Sequence, residues 1–339
     1  MQSYSTDELR TILERELSHY FGASPRITQL SRRRSAYRTS FALDELAVDL
    51  DDGRQLQLIL KDLSWHSLSK DVRQVKPNFL HNPWREIAVY REILATVQIG
   101  TARCYGFFVN APRDRYWLFL EKVTGQELYQ IGEVETWQAV ARWLAEFHGR
   151  FAAHVDQLNH TPALLRYDGA FYWRWLQRAR SFAKCNDGPQ KRNAKAALTW
   201  LAARYEKVVE QLTALPSTFI HGEFYASNVL VQDESYSMRV CPVDWEMAGL
   251  GPGLLDLAAL TSGKWSDKQK TALALSYCDA RKTTVRENLC LNEFFTALDY
   301  CRLHIAVQWL GWAPNWSPPV ENAHDWLGEA LNLAEKLAL

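Results

Sequence analysis

Phe219-Ile220-His221-Gly222-Glu223-Phe224-Tyr225-Ala226-Ser227-Asn228-Val229-Leu230-Val231 enters as an apolar run, turns on a His-Gly-acid step and leaves as a strand-like Val-Leu-Val. A second short apolar run follows, Val240-Cys241-Pro242-Val243-Asp244-Trp245-Glu246, and delivers another acid. The spacing reads as a loop between strands that presents a carboxylate at Glu223, an amide at Asn228 and a second carboxylate at Asp244. Metal-assisted phosphoryl transfer needs that set. One group orients the acceptor hydroxyl, and two oxygen ligands hold Mg²⁺ against nucleotide phosphates.

These residues resemble the aminoglycoside phosphotransferase and choline kinase-like family, small-molecule relatives of the protein kinases. That family carries a His-Gly-Asp-x-x-x-x-Asn catalytic loop and, after a hairpin, an Asp in a short apolar strand. The resemblance places His221 and Gly222 on the loop's structural pair, Glu223 on the catalytic acid, and Asn228 and Asp244 on the metal ligands. One position departs from the pattern. This chain has Glu223 where the family usually has Asp, so the carboxylate sits one methylene further from the backbone.

The resemblance implies an α+β, two-lobed, protein-kinase-like fold. A small antiparallel-sheet lobe, residues 1–121, would bind nucleotide, and a larger, mainly helical lobe, residues 122–339, would carry catalysis and substrate. It implies ATP and Mg²⁺ as cofactors and a hydroxyl of a small molecule as acceptor. Gln55-Leu56-Gln57-Leu58-Ile59-Leu60-Lys61 reads as a strand closed by a lysine, and Lys61 matches the family's phosphate-binding lysine. Pro83 opens a helix in which Glu86 is the expected partner of Lys61, with Glu92 left to solvent. His148 resembles a structural, helix-terminal family position, and Asp256 matches a position that braces the catalytic loop rather than performing chemistry.

Working outward, Ser5-Thr6-Asp7-Glu8 looks like a helix start, with Leu9, Ile12, Leu13 and Leu17 at helical spacing. Arg26 to Leu30 and Ala36 to Leu43 read as a strand pair joined through Ser31-Arg32-Arg33-Arg34-Ser35. In a kinase-like lobe that turn covers the phosphates and is rich in glycine; here it has none. Its arginines either meet phosphate through their side chains or form a solvated turn. Ser64 to Asn82, with Lys70, Arg73 and Lys76, is polar and without period, which suggests a mobile or specialised flap. Arg103 to Val109 and Tyr116 to Leu120 read as the lobe's last strands.

Beyond them the pattern turns helical. Trp137, Val140, Ala141, Leu144 and Phe147 form one stripe, and Ala163 to Ala183 and Ala194 to Leu215 read as two more helices across an Asn186–Pro189 turn. Phe294, Leu298, Cys301 and Ile305 form a buried stripe in the tail, which breaks at Pro314 to Pro319. The acceptor region implied by the family offers Glu246, Asp299, Tyr300, His304, Trp309 and Trp312. Acids with aromatics suit a cationic amine, an amino sugar or an amino alcohol.

Composition narrows the rest. Lys plus Arg and Asp plus Glu are 39 each, so no global basic field serves nucleic acid. No apolar run reaches the roughly 18 residues of a membrane span. The six cysteines lack metal-site spacing, as expected of free thiols in a cytoplasmic protein. Nothing in the sequence fixes the oligomeric state. The rival class is a nucleotide-binding pseudokinase acting as scaffold or sensor, favoured by Glu223 and the glycine-free turn. The retained Lys61, Asn228 and Asp244 argue against it.

Overall fold

A computed structural model describes residues 5–37, 40–97, 99–184, 189–234, 237–263, 265–285, 290–312 and 324–339. In chain order the elements are α1 (Thr6–Phe21), β1 (Ile27–Arg34), β2 (Ala42–Leu50), β3 (Gln55–Asp62), α2 (Lys70–Val75), α3 (Pro83–Ala88), β4 (Cys104–Asn110) and β5 (Arg115–Glu121). Then come β6 (Gln126–Glu127), α4 (Val134–Ala152), α5 (Val155–Leu158), β7 (Leu165–Arg166), α6 (Gly169–Lys184), α7 (Pro189–Ala202), α8 (Tyr205–Ala214) and β8 (Ser217–Ile220). The chain closes with β9 (Val229–Glu234), β10 (Ser237–Pro242), β11 (Gly249–Pro252), α9 (Leu254–Leu260), α10 (Asp267–Val285), α11 (Leu291–Trp312) and α12 (Trp326–Lys336). Two compact units result: Met1–Gln126 with Leu230–Glu246, and Glu127–Val229 with Met247–Leu339.

Unit one is built on a five-stranded antiparallel sheet of order β1-β2-β3-β5-β4. Strand alternation sends Leu46, Val48, Leu50, Leu58 and Leu60 to one face, where they pack with Leu9, Leu13 and Leu17 of α1. Ser5 caps that helix through the Glu8 N–H at 3.0 Å. Lys61 therefore points to the opposite face, in register with Leu43 of β2 and Leu118 of β5. The hairpin of β9 and β10 joins this unit because Arg239 of β10 grips the end of β5. Its guanidinium donates two bonds of 2.8 Å to the Glu121 carboxylate and one of 2.8 Å to the Gly100 carbonyl. Burial alone would raise the Glu121 pKa, but these bonds hold it below the usual carboxylate value.

Three local expectations are corrected here. Arg32, Arg33 and Arg34 are not in a turn; they are the last residues of β1. Register sets Arg33 opposite Glu45 and Arg34 opposite Asp44, and the side chains pair accordingly: Arg33 to Glu45 at 2.8 Å, and Arg32 and Arg34 to Asp44 at 2.8 and 3.1 Å. Carboxylates ten to twelve residues away, invisible to a local pattern, extend the strand. The partner strand begins at Ala42 and runs to Leu50, later than expected. The segment 64–82 is not structureless, because Ser69 caps α2 through Val72 N at 3.2 Å and short 3₁₀ turns flank it at Trp65–Ser67 and Asn78–Leu80.

Unit two is mainly helical around a small sheet in which β11 runs parallel to β7 and antiparallel to β8. The stretch expected as one helix from Ala163 instead contributes β7 first; Asp168 then accepts from Phe171 N at 2.8 Å and starts α6. The helix expected over 194–215 is split into α7 and α8 at Ala203-Arg204. The turn expected at Asn186–Pro189 and the break expected at Pro314–Pro319 lie, apart from Pro189 itself, outside the described residues. Phe294, Leu298, Cys301 and Ile305 are buried on α11 as their spacing predicts. Asp299, expected in the acceptor region, is buried too, paired with Arg302 at 3.2 Å and Lys336 at 2.6 Å. Among the described residues no helix is long and apolar enough to cross a membrane.

Candidate active site

In unit one the expected lysine and its partners meet. Asn82 caps α3 through Trp84 N at 3.0 Å, and Pro83 occupies its first turn, so Glu86 falls on the inward side of a short, fixed helix. Lys61 Nζ lies 2.6 Å from Glu86 and 2.6 Å from Asp244, and all three side chains are buried. Burial would lower the Lys61 pKa, yet the carboxylates of Asp244, Glu86 and Glu246 outweigh it and hold the ammonium firmly charged. Burial raises the Glu86 pKa, opposed by that same ammonium. Glu92, the alternative, is exposed and pairs with its neighbour Arg91. Asp244 adopts a left-handed backbone with φ 68°, a conformation open to aspartate and found where a turn must aim its side chain.

Unit two carries the loop. β8 ends at Ile220, and the chain then turns under Asp256 of α9. Both carboxylate oxygens of Asp256 are engaged: one accepts from His221 N and the other from Gly222 N, each at 2.8 Å. His148 of α4 stands 3.1 Å from Asp256 on one ring nitrogen and 2.9 Å from the Tyr277 hydroxyl on the other. Burial lowers the His148 pKa although Asp256 opposes it, so the ring is neutral, donating to Asp256 and accepting from Tyr277. Gly222 is required for two reasons: its φ is 84°, and a Cβ there would lie 2.1 Å from the Tyr167 hydroxyl.

The same loop fixes the chemistry-bearing groups by its own backbone. Glu223 N donates to His221 Nδ1 at 3.3 Å, and the Glu223 carbonyl accepts from Tyr225 N at 2.7 Å and from Asn228 Nδ2 at 3.0 Å. That bond uses an N–H of the Asn228 amide and orients the side chain, whose other end is an acceptor oxygen. The Tyr225 phenol is held protonated, first by burial and then by the charge of Glu223. Its ring lies 5.4 Å from Trp309, which stacks on Trp326 at 5.3 Å.

The set expected to contact an acceptor divides. Trp309 is beside the loop. His304 is buried against the Tyr205 hydroxyl at 2.9 Å, and burial pulls its pKa down to about 3, so it is a neutral core residue. Asp299 and Tyr300 are buried, and Glu246 is committed in unit one to Lys76. Sequence reasoning missed Tyr277, Tyr167 and Arg85, of which Arg85 had a local signal as the neighbour of Glu86, and it named Lys76 only as one cation of the 64–82 segment.

A profile of the phosphotransferase enzyme family matches residues 85–290, more than half of the chain. The chain belongs to that family. The match includes Glu86, Glu223, Asn228 and Asp244, while Lys61 and the 64–82 segment precede it. Solved structures agree on the fold. An ethanolamine kinase from Plasmodium vivax aligns with a TM-score of 0.57 at 12% identity, covering 92% of this chain and 83% of its own. A microcompartment-associated aminopropanol kinase gives 0.56 at 16% identity, with 95% and 94% covered. Wild-type aminoglycoside 2'-phosphotransferase-IIIa, in its GDP complex, gives 0.58 at 13% identity, with 96% and 97% covered. No curated protein sequence matches the chain. This phosphotransferase thus has the protein-kinase-like fold, and phosphoryl transfer is its class of activity.

Proposed function

We propose that this phosphotransferase moves the γ-phosphoryl group of ATP, with Mg²⁺, to a hydroxyl of a small molecule that carries a cationic amine. The observation that carries the reading is the buried Lys61 ammonium, 2.6 Å from each of Glu86 and Asp244. Lys61 positions the inner phosphates and Glu86 holds Lys61. Glu223 accepts or orients the acceptor proton, and His221 and Asp256 keep its loop in shape. Among the described residues no three His, Cys, Asp or Glu side chains gather as a self-sufficient metal site. A carboxylate and an amide oxygen, Asp244 and Asn228, fit Mg²⁺, which takes one or two protein ligands and completes its shell with phosphate and water. When bound, the ion supplies charge neutralisation on the phosphates.

The loose transition state of phosphoryl transfer leaves the acceptor's proton until late. A glutamate in place of aspartate is therefore compatible with turnover if its longer arm reaches the same hydroxyl. The amine preference rests on the aromatic group of Tyr225, Trp309 and Trp326 beside the Glu223 loop, since aromatic faces and a carboxylate both attract a cation. The names of the structural neighbours, which include ethanolamine, aminopropanol and aminoglycoside, point the same way.

Thermal-shift screening with a non-hydrolysable ATP analogue and a panel of amino alcohols, amino sugars, neutral polyols and anionic sugars tests the acceptor class. Stabilisation by the amines is expected, and a ligand at one hundred times its Kd contributes about 2.7 kcal/mol. Preference for neutral or anionic ligands would overturn the amine assignment.

A further inference from the structure

Lys76 follows α2 as its C-terminal cap in the 64–82 segment, yet it is only 5% exposed. Lysines are almost never buried without a partner. Its partner is the Glu246 carboxylate, two residues past Asp244. That carboxylate also accepts from Ser40 Oγ at 3.2 Å, and the Glu246 carbonyl accepts from Arg85 at 2.5 Å, next to Glu86. The pairing repeats that of the strand lysine. One turn supplies both acids, with Asp244 holding Lys61 and Glu246 holding Lys76. The two ammoniums also share one aromatic ring: Lys61 Nζ is 5.6 Å and Lys76 Nζ 4.6 Å from the centre of Phe41.

Stability alone does not account for such a pair, because a buried ion pair is commonly matched or bettered by apolar packing. A triphosphate, by contrast, brings several negative charges and needs more than one cation. We propose that Lys76 is a second phosphate-binding cation of the nucleotide site, held beside Lys61 by Glu246 until the donor's phosphates take its place. The inference rests on the nucleotide-donor reading above and deepens it. The residue lies in a segment that the family match, residues 85–290, does not include.

Calorimetric binding of ATP and of adenosine to the full chain tests this, with Lys76→Met, Lys76→Arg and the charge-balanced Lys76→Met/Glu246→Gln. Lys76→Met and the double variant should lose about 10-fold or more in ATP affinity, the size of a hydrogen bond to a charged group, with adenosine affinity unchanged. Lys76→Arg should stay within about threefold of the parent, since the charge is kept. A merely structural lysine would lower both affinities together, or neither, in the soluble variants, and that result overturns the proposal. If the parent chain binds ATP no better than adenosine, the donor reading itself fails and this inference with it.

Discussion

Lys61→Met is expected to lower phosphoryl transfer by about a hundred- to a thousandfold, the scale seen when one preorganised charge-stabilising donor is removed. Steady-state kinetics with saturating nucleotide is the measurement. The same change removes the ammonium that lies 2.6 Å from each of Glu86 and Asp244. Two buried carboxylates are then left facing each other, a loss of about 3–5 kcal/mol of stability. The double variant Lys61→Met/Glu86→Gln should recover much of that stability while leaving transfer low, which separates the folding role from the chemical one. Wild-type turnover in either variant would show that the lysine does not handle phosphate. The sign of the pH effect is also fixed. The folded Lys61 pKa is raised, so its contribution to stability is complete below the unfolded value of about 10.4 and is lost only at higher pH.

The second large effect is expected at Glu223. Glu223→Gln should lower kcat by about 10²- to 10⁴-fold, the usual contribution of a positioned base, while nucleotide affinity stays within about twofold. The loop is held by backbone bonds of residue 223 and by Asp256, and glutamine keeps the shape of glutamate, so the variant should fold. Glu223→Asp is the sharper comparison. Retracting the carboxylate by about an ångström in a site where positioning dominates should cost activity. Gain of activity in that variant would mean that the native glutamate is misplaced for transfer. Unchanged kcat in Glu223→Gln would remove it from the chemistry altogether.

Legibility in the sequence followed the range of the interactions involved. The loop and hairpin from Phe219 to Asp244 were readable because their signal is local: two apolar runs, a glycine where the chain turns sharply, and acids at short spacing. Lys61 and Glu86 were readable as successive steps in an ordered series, and the structure brings them together. Arg32 to Arg34 were misread as a turn because the carboxylates that make them a strand sit across the sheet at Asp44 and Glu45. Asp299 failed for a similar reason, since its partner Lys336 comes from α12. The 64–82 segment lacks helical period because its helices run only three to six residues, and Lys76 is buried by Glu246, 170 residues later. Helix periodicity found the α11 stripe but could not say which flanking side chains other helices would cover.

The central claim is tested most directly by following γ-labelled phosphate from ATP to an amine-bearing alcohol, with and without Mg²⁺, in the parent chain and in Asp244→Ala. The account predicts acceptor-dependent, Mg²⁺-dependent label transfer in the parent and its loss in the variant. Nucleotide binding without label reaching any acceptor, or equal transfer by Asp244→Ala, would contradict it.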